Sequence, residues 1–305
     1  EHRGNGYARL ALDDALAYIR ESGMLLSVLF GIPNFYPRWG FAPALVEGIL
    51  EVDTAVGLLA PAKATVRDMQ PGDSAAVAEI YARENAQRTG TVARDVATWQ
   101  GFRQGVNWND RVSALVVEDA GRVVGYAAYN SEPWENQVAE VGGSRMALAA
   151  LVRCFAERTA KMHREKLVFR VPPDHELVSF CAGLGCKLTL EYPHASTGMA
   201  RIIDQRGLLD TLAPLLTERL AASGEAWRGT LEFVTQLGED AVDLGGGDRQ
   251  TVRLTQERLT QLVLGYRSAR DLALDGQMEC APELLPVLTA IFPQGNPYMW
   301  HPDRI

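Results

Sequence analysis

Positive charge is in short supply in this sequence. Lysine and arginine number 30 against 38 aspartates and glutamates, a formal charge of −8 over 305 residues. That balance argues against a nucleic-acid surface, whereas an acidic cleft would favour encounter with cationic amines. Histidine (5) and cysteine (4) are sparse as well. Cys154, Cys181, Cys186 and Cys280 lack zinc-type spacing, and His163, His175 and His194 form no H-x-x-x-H pair, so no metal is expected. The thiols read as reduced residues of a cytoplasmic protein. There is no apolar run of membrane-spanning length and no secretory apolar region. No G-x-x-x-x-G-K-S/T string occurs, and Arg9 stands where a dinucleotide fingerprint beginning at Gly4 and Gly6 needs its third glycine. No Ser-His-Asp or Cys-His constellation offers a covalent nucleophile. The rest is ordinary for a globular protein, at 47% hydrophobic and 22% charged residues. The length predicts two or three domains of about 100 to 150 residues.

The most informative stretch that is present lies in the first forty residues. Arg3-Gly4-Asn5-Gly6-Tyr7-Ala8 opens a helix in which Ala8, Ala11, Leu12, Ala15, Leu16 and Ile19 share a face and Arg9 and Asp13 stand four apart. Gly23 stops it. Met24 to Phe30 is a short apolar run of the kind a strand covered on both faces would show. Phe35-Tyr36-Pro37-Arg38-Trp39-Gly40-Phe41 follows. A small-residue turn opening a helix presents unpaired N–H groups beside the positive end of the helix dipole, which suits a pyrophosphate. By itself, a glycine pair before a helix is more often a plain turn or cap, and Tyr36 alone reads as a core tyrosine between Phe35 and Trp39.

In this order the pieces resemble motif A and the following segment of the GNAT acetyltransferases, R/Q-x-x-G-x-G/A and then F-Y-x-x-x-G-F, with Ala8 in the last small position. The sequence starts without methionine, inside that motif and without the strand expected before it, so the natural protein is expected to continue upstream. A second unit begins near Thr65-Val66-Arg67. It is predicted to contain a helix over Ser74 to Glu84, a hairpin of Ala114 to Glu118 and Arg122 to Tyr129, and a strand at Gln137 to Val141. A helix from Arg145 to Met162, a strand at Lys166 to Val171 and a helix from His175 to Ala182 complete it. That order resembles another GNAT domain, but Val141-Gly142-Gly143-Ser144-Arg145-Met146 is not the motif, and Phe180-Cys181 stands in place of Phe35-Tyr36. Cys181, in an apolar helix with no histidine partner, reads as a buried thiol.

From Gly207 a helix to Ala222, a strand at Thr230 to Leu237, a hairpin turn at Gly245-Gly246-Gly247-Asp248 and a helix near Gln256 to Gly265 are predicted. This segment, with Leu259 to Tyr266 and Phe292-Pro293-Gln294-Gly295-Asn296-Pro297, resembles the sterol-carrier-protein-type tail of the Eis-like (enhanced intracellular survival) acetyltransferases. The fold class expected is thus α+β with mixed sheets: residues 1–61, the second half of an active GNAT domain; 62–204, a degenerate GNAT-like domain; 205–305, a domain like sterol carrier protein 2.

The resemblance implies an N-acetyltransferase in which a primary amine, from a small molecule or a lysine side chain, attacks acetyl-CoA directly. Arg3, Gly4, Asn5, Gly6, Tyr7, Ala8 and Arg9 would hold the pyrophosphate, Gly31 and Ile32 would line the pantetheine arm, and Tyr36 would protonate the leaving thiolate. The family's base is the carboxylate of the last residue, here Ile305; Asp303 or a bound water stands as the alternative. A homo-oligomer is implied too. Two other classes stay open: a lipid or small-molecule carrier acting through residues 207–305, and a non-catalytic structural partner.

Overall fold

The computed structural model describes residues 5–131, 133–194 and 197–304. Helix α1 (Tyr7–Glu21) leads to strands β1 (Leu26–Gly31), β2 (Ala42–Pro43) and β3 (Glu47–Asp53), then to a single turn, α2 (Thr54–Gly57). Next come β4 (Thr65–Asp68), α3 (Ser74–Asn85), β5 (Val112–Asp119), β6 (Arg122–Asn130), β7 (Gln137–Gly143) and α4 (Arg145–Lys161). These are followed by β8 (Lys166–Arg170), α5 (Glu176–Ala182), β9 (Lys187–Glu191), β10 (Thr197–Ile202) and α6 (Gln205–Ser223). The last elements are β11 (Gly229–Thr235), β12 (Gly238–Leu244), β13 (Arg249–Leu254), α7 (Gln256–Val263), α8 (Ala269–Leu274), β14 (Met278–Glu279) and α9 (Leu284–Ile291). Two compact units emerge, Glu1–Ala44 with Pro193–Gly295, and Leu45–Tyr192 with Asn296–Ile305.

The first unit holds a three-stranded sheet, β1-β10-β2, and a four-stranded sheet, β12-β11-β13-β14. On α1 the stripe narrows: Leu12, Leu16 and Ile19 pack with Phe41, Met199 and Ile203, while Ala8, Ala11 and Ala15 are exposed. Three residues at i, i+4 and i+7 suffice for one narrow contact. Strand β1 is not covered on both faces as expected, for Val28 is exposed; among the described residues the strand pairs with β10. In β11 the period of two is clean, with Leu231 and Phe233 buried in a core shared with α6, α7 and α9. The glycine triplet is not a hairpin turn. β12 and β13 lie on opposite sides of β11, so the chain must cross over that strand. Gly245, Gly246 and Gly247 all take positive φ to do so, with the Gly246 N–H held by Asp243 at 2.7 Å.

The second unit is built on a seven-stranded mixed sheet, β4-β5-β6-β7-β8-β3-β9. Helix α4 is buried on most of its circumference, from Ala147 through Phe155 to Thr159, which its run of alanines permits by allowing close approach. The sheet takes β3 from ahead of the second unit's expected start and lodges it between β8 and β9, while β10 lies between β1 and β2. Among the described residues no helix is long and apolar enough to cross a membrane.

Candidate active site

Gly6 is the N-cap of α1 in the left-handed region (φ 76°), which only glycine enters freely, and a side chain there would meet open space. Among the described residues no side chain caps this end, and its first turn carries no carboxylate. Asn5, Tyr7, Ala8 and Arg9 are exposed, with Arg9 3.5 Å from Asp13. Arg3 and Gly4, the first two residues of the expected pyrophosphate turn, lie outside the described residues.

Tyr36 opens a 3₁₀ turn, Tyr36–Trp39, framed by left-handed Asn34 and Gly40. Its ring packs against Gly31, where any Cβ would collide with it, so the glycine at the end of β1 is needed for that approach. The ring stands edge-on to Phe35 (5.0 Å) and Phe41 (6.0 Å). The turn is fastened from three elements: Trp39 Nε1 donates to Asp13 of α1 at 2.8 Å, Arg201 of β10 donates to the Trp39 carbonyl at 2.6 Å, and Gln256 of α7 to that of Gly40 at 3.1 Å. The half-buried Tyr36 and Gly31 are therefore brought together, with exposed Ile32 next in the chain.

The corresponding turn of the second unit, between β7 and α4, is filled from within. Glu84 of α3 accepts the Gly143 N–H at 2.9 Å, and Ser144 caps α4 by accepting from Ala147. Arg145 is engaged by Glu176 and lies over the Phe180 ring. Burial pushes the Glu84 carboxyl up to about 7, while the Gly143 N–H and Arg83 pull the other way. Cys181 is buried and its thiol is pushed up to about 12 by burial, an inert rather than a nucleophilic setting. Nothing in the sequence marked Glu84, because a helical glutamate ordinarily faces water.

The carboxy-terminal segment also belongs to this unit. Tyr298 N–H donates to the Thr89 carbonyl, Trp300 Nε1 to Asn85 Oδ1 at 3.0 Å, and Arg304 makes a forked pair with Glu47 at 2.9 Å on both arms. Asp303 meets Arg94 at 2.9 Å and the Tyr81 hydroxyl at 3.2 Å. Ile305, the proposed base, lies outside the described residues. Glu47, Arg94 and Glu140 around this segment were not foreseen, since only the folded chain gathers them.

Comparison with known proteins gives two kinds of likeness. Residues 223–300 match the sterol carrier protein domain family. No curated protein matches the sequence. Among solved structures, a GCN5-related N-acetyltransferase from Anabaena variabilis superposes with a TM-score of 0.72 at 16% identity, over 98% of this chain and 78% of its own. One from Kribbella flavida gives 0.69 at 18% identity, over 100% and 76%. Eis1 from Mycobacterium abscessus gives 0.62 at 16%, over 98% and 78%. The chain thus has a mixed α+β fold similar along its length to GCN5-related N-acetyltransferases, with a sterol-carrier-type domain in its final third.

Proposed function

We propose that this protein is an acetyl-CoA-dependent N-acetyltransferase of the Eis-like kind, cytoplasmic and homo-oligomeric. Its three parts are then residues 1–61, 62–204 and 205–305, of which the first holds acetyl-CoA and Tyr36 and the third supplies the terminal carboxylate. The observation that bears most weight is the contrast between two turns: among the described residues no side chain caps the α1 end at Gly6, whereas the Gly143 N–H is already bonded to Glu84. Backbone N–H groups of Gly4 to Arg9 take the pyrophosphate, with Arg3 and Arg9 adding charge. Gly31 and Ile32 flank the pantetheine arm.

The amine nitrogen attacks the thioester carbonyl carbon, the C–S bond breaks, and the Tyr36 hydroxyl gives its proton to the departing thiolate. The ammonium proton goes first to the terminal carboxylate of Ile305, which is ionised at neutral pH. The test is acetyl transfer from acetyl-CoA to a panel of polyamines, lysine peptides and small primary amines, read by product mass. Transfer to at least one amine is expected, and its loss when a short polar tag follows Ile305, with acetyl-CoA still bound. No transfer to any amine overturns the reading; an unchanged rate in the tagged protein removes Ile305 from it.

A further inference from the structure

One arginine in the second unit sits where a cation is hardest to keep. Arg94 comes from the long loop between α3 and β5, and its side chain is 2% exposed. It makes a forked pair with fully buried Glu140, 2.6 Å on both arms, and a second pair with Asp303 through Nε at 3.2 Å and a terminal nitrogen at 2.9 Å. Its guanidinium stacks 3.8 Å above the Tyr81 ring, with Trp99 and Phe102 at 5.1 and 5.4 Å. The Tyr126 hydroxyl donates to Glu140 and the Tyr81 hydroxyl to Asp303, so both carboxylates have partners besides the arginine. A cleft of about 550 Å³ opens beside the cluster, lined by Trp99, Phe102, Trp108 and Asp303 among others.

We infer that Arg94 is the positioning residue of the carboxy-terminal segment: it ties Asp303 to the sheet at Glu140 and so fixes where the two residues after it can go. The inference rests on the reading of the terminal carboxylate as base. The geometry favours this role over a merely structural one. Glu140 projects from the central strand β7 and Asp303 from the carboxy-terminal segment, so one guanidinium joins that segment to the middle of the sheet. Arg304 is held separately by Glu47, which gives the segment a second, independent fastening. Two carboxylates sharing one guanidinium leave an excess negative charge inside the unit. Burial and then the charge of Glu140 push the Asp303 carboxyl up to about 6, so the tie depends on the cation remaining between them.

The test uses the full chain. Arg94→Ala is expected to lower kcat about tenfold or more while KM for acetyl-CoA stays within about twofold. Adding roughly 20 mM guanidinium or ethylguanidinium should restore a large part of kcat in this variant and nothing in the wild type, because the cleft admits a small planar cation to the emptied site. Amide exchange at Tyr298 and Asp303 should quicken in Arg94→Ala and slow again with the added cation. Should Arg94→Ala not fold, Asp303→Asn, which leaves the Arg94–Glu140 pair intact, should show the same kcat loss and faster exchange. Wild-type kcat and unchanged exchange in the folded variant overturn the inference. A wild type that acetylates no amine defeats the proposed function instead, and the exchange measurement then decides on Arg94 alone.

Discussion

Glu84 holds its proton up to about pH 7, well above an exposed glutamate, because α3 buries it against the β7–α4 turn. A carboxyl whose folded pKa is raised stabilises the fold at low pH and loses that contribution as pH climbs to the folded value. The window here runs from the ordinary glutamate value of 4.5 to about 7. His175, 4.0 Å away and depressed to about 4 by burial, works in the opposite sense over a similar range, so the wild-type profile mixes both. Comparison with Glu84→Gln isolates the carboxyl: the variant's melting temperature should gain on the wild type between pH 5 and 7.5, in thermal scans at matched ionic strength. A constant difference would mean the carboxyl does not titrate there. Tyr36→Phe belongs to the same scale. It should lower kcat by about 10²- to 10⁴-fold with acetyl-CoA affinity unchanged, measured by steady-state kinetics and calorimetry. Gly6→Asn, which tolerates a left-handed backbone but adds a side chain to the open turn, should weaken acetyl-CoA binding in the same calorimeter. Tyr36 was legible because Phe35, Gly40 and Phe41 surround it in fixed order; Glu84 was not, because its burial is decided by strands sixty residues away.

Among the elements, the carboxy-terminal segment is the one whose form its composition best foretold. Pro297, Tyr298, Trp300 and Pro302 limit backbone freedom and supply apolar area, and both aromatics are buried, with ring centroids 5.3 Å apart. Trp300→Ala should therefore cost about 3 to 5 kcal/mol of stability, as large-to-small core changes do, and it strands the Asn85 carbonyl oxygen. Urea titration of the second unit's tryptophan signal measures it; a loss under about 1 kcal/mol would mean the segment is not part of that core. Helices with strong periodicity or capping residues, such as α4 behind Ser144, were readable in outline. The glycine triplet departs from the expected hairpin for a physical reason: a run of glycines signals that a chain turns sharply, but not whether the strands it joins pair with each other or with a third.

At the scale of the whole molecule the sequence conveyed the kinds of parts but not their exchange. Nothing in Glu47–Asp53 announces that it pairs with β8 and β9, nor in Thr197–Ile202 that it pairs with β1 and β2, because register across more than a hundred residues leaves no local trace. The exchange bears on how the protein is made. Strand β1 finds its neighbour β10 only after roughly 170 further residues have been synthesised, a wait of about 10 to 30 seconds at ordinary translation rates. During that interval the edge of β1 that β10 covers stays unpaired, a state that a chaperone can shield. Ribosome-bound chains stalled near residue 190 should accordingly leave β1 open to protease, and chains stalled past about residue 240, with β10 clear of the exit tunnel, should protect it. The same dependence holds in both units: each is completed only by late-synthesised residues, Pro193–Gly295 in one and Asn296–Ile305 in the other.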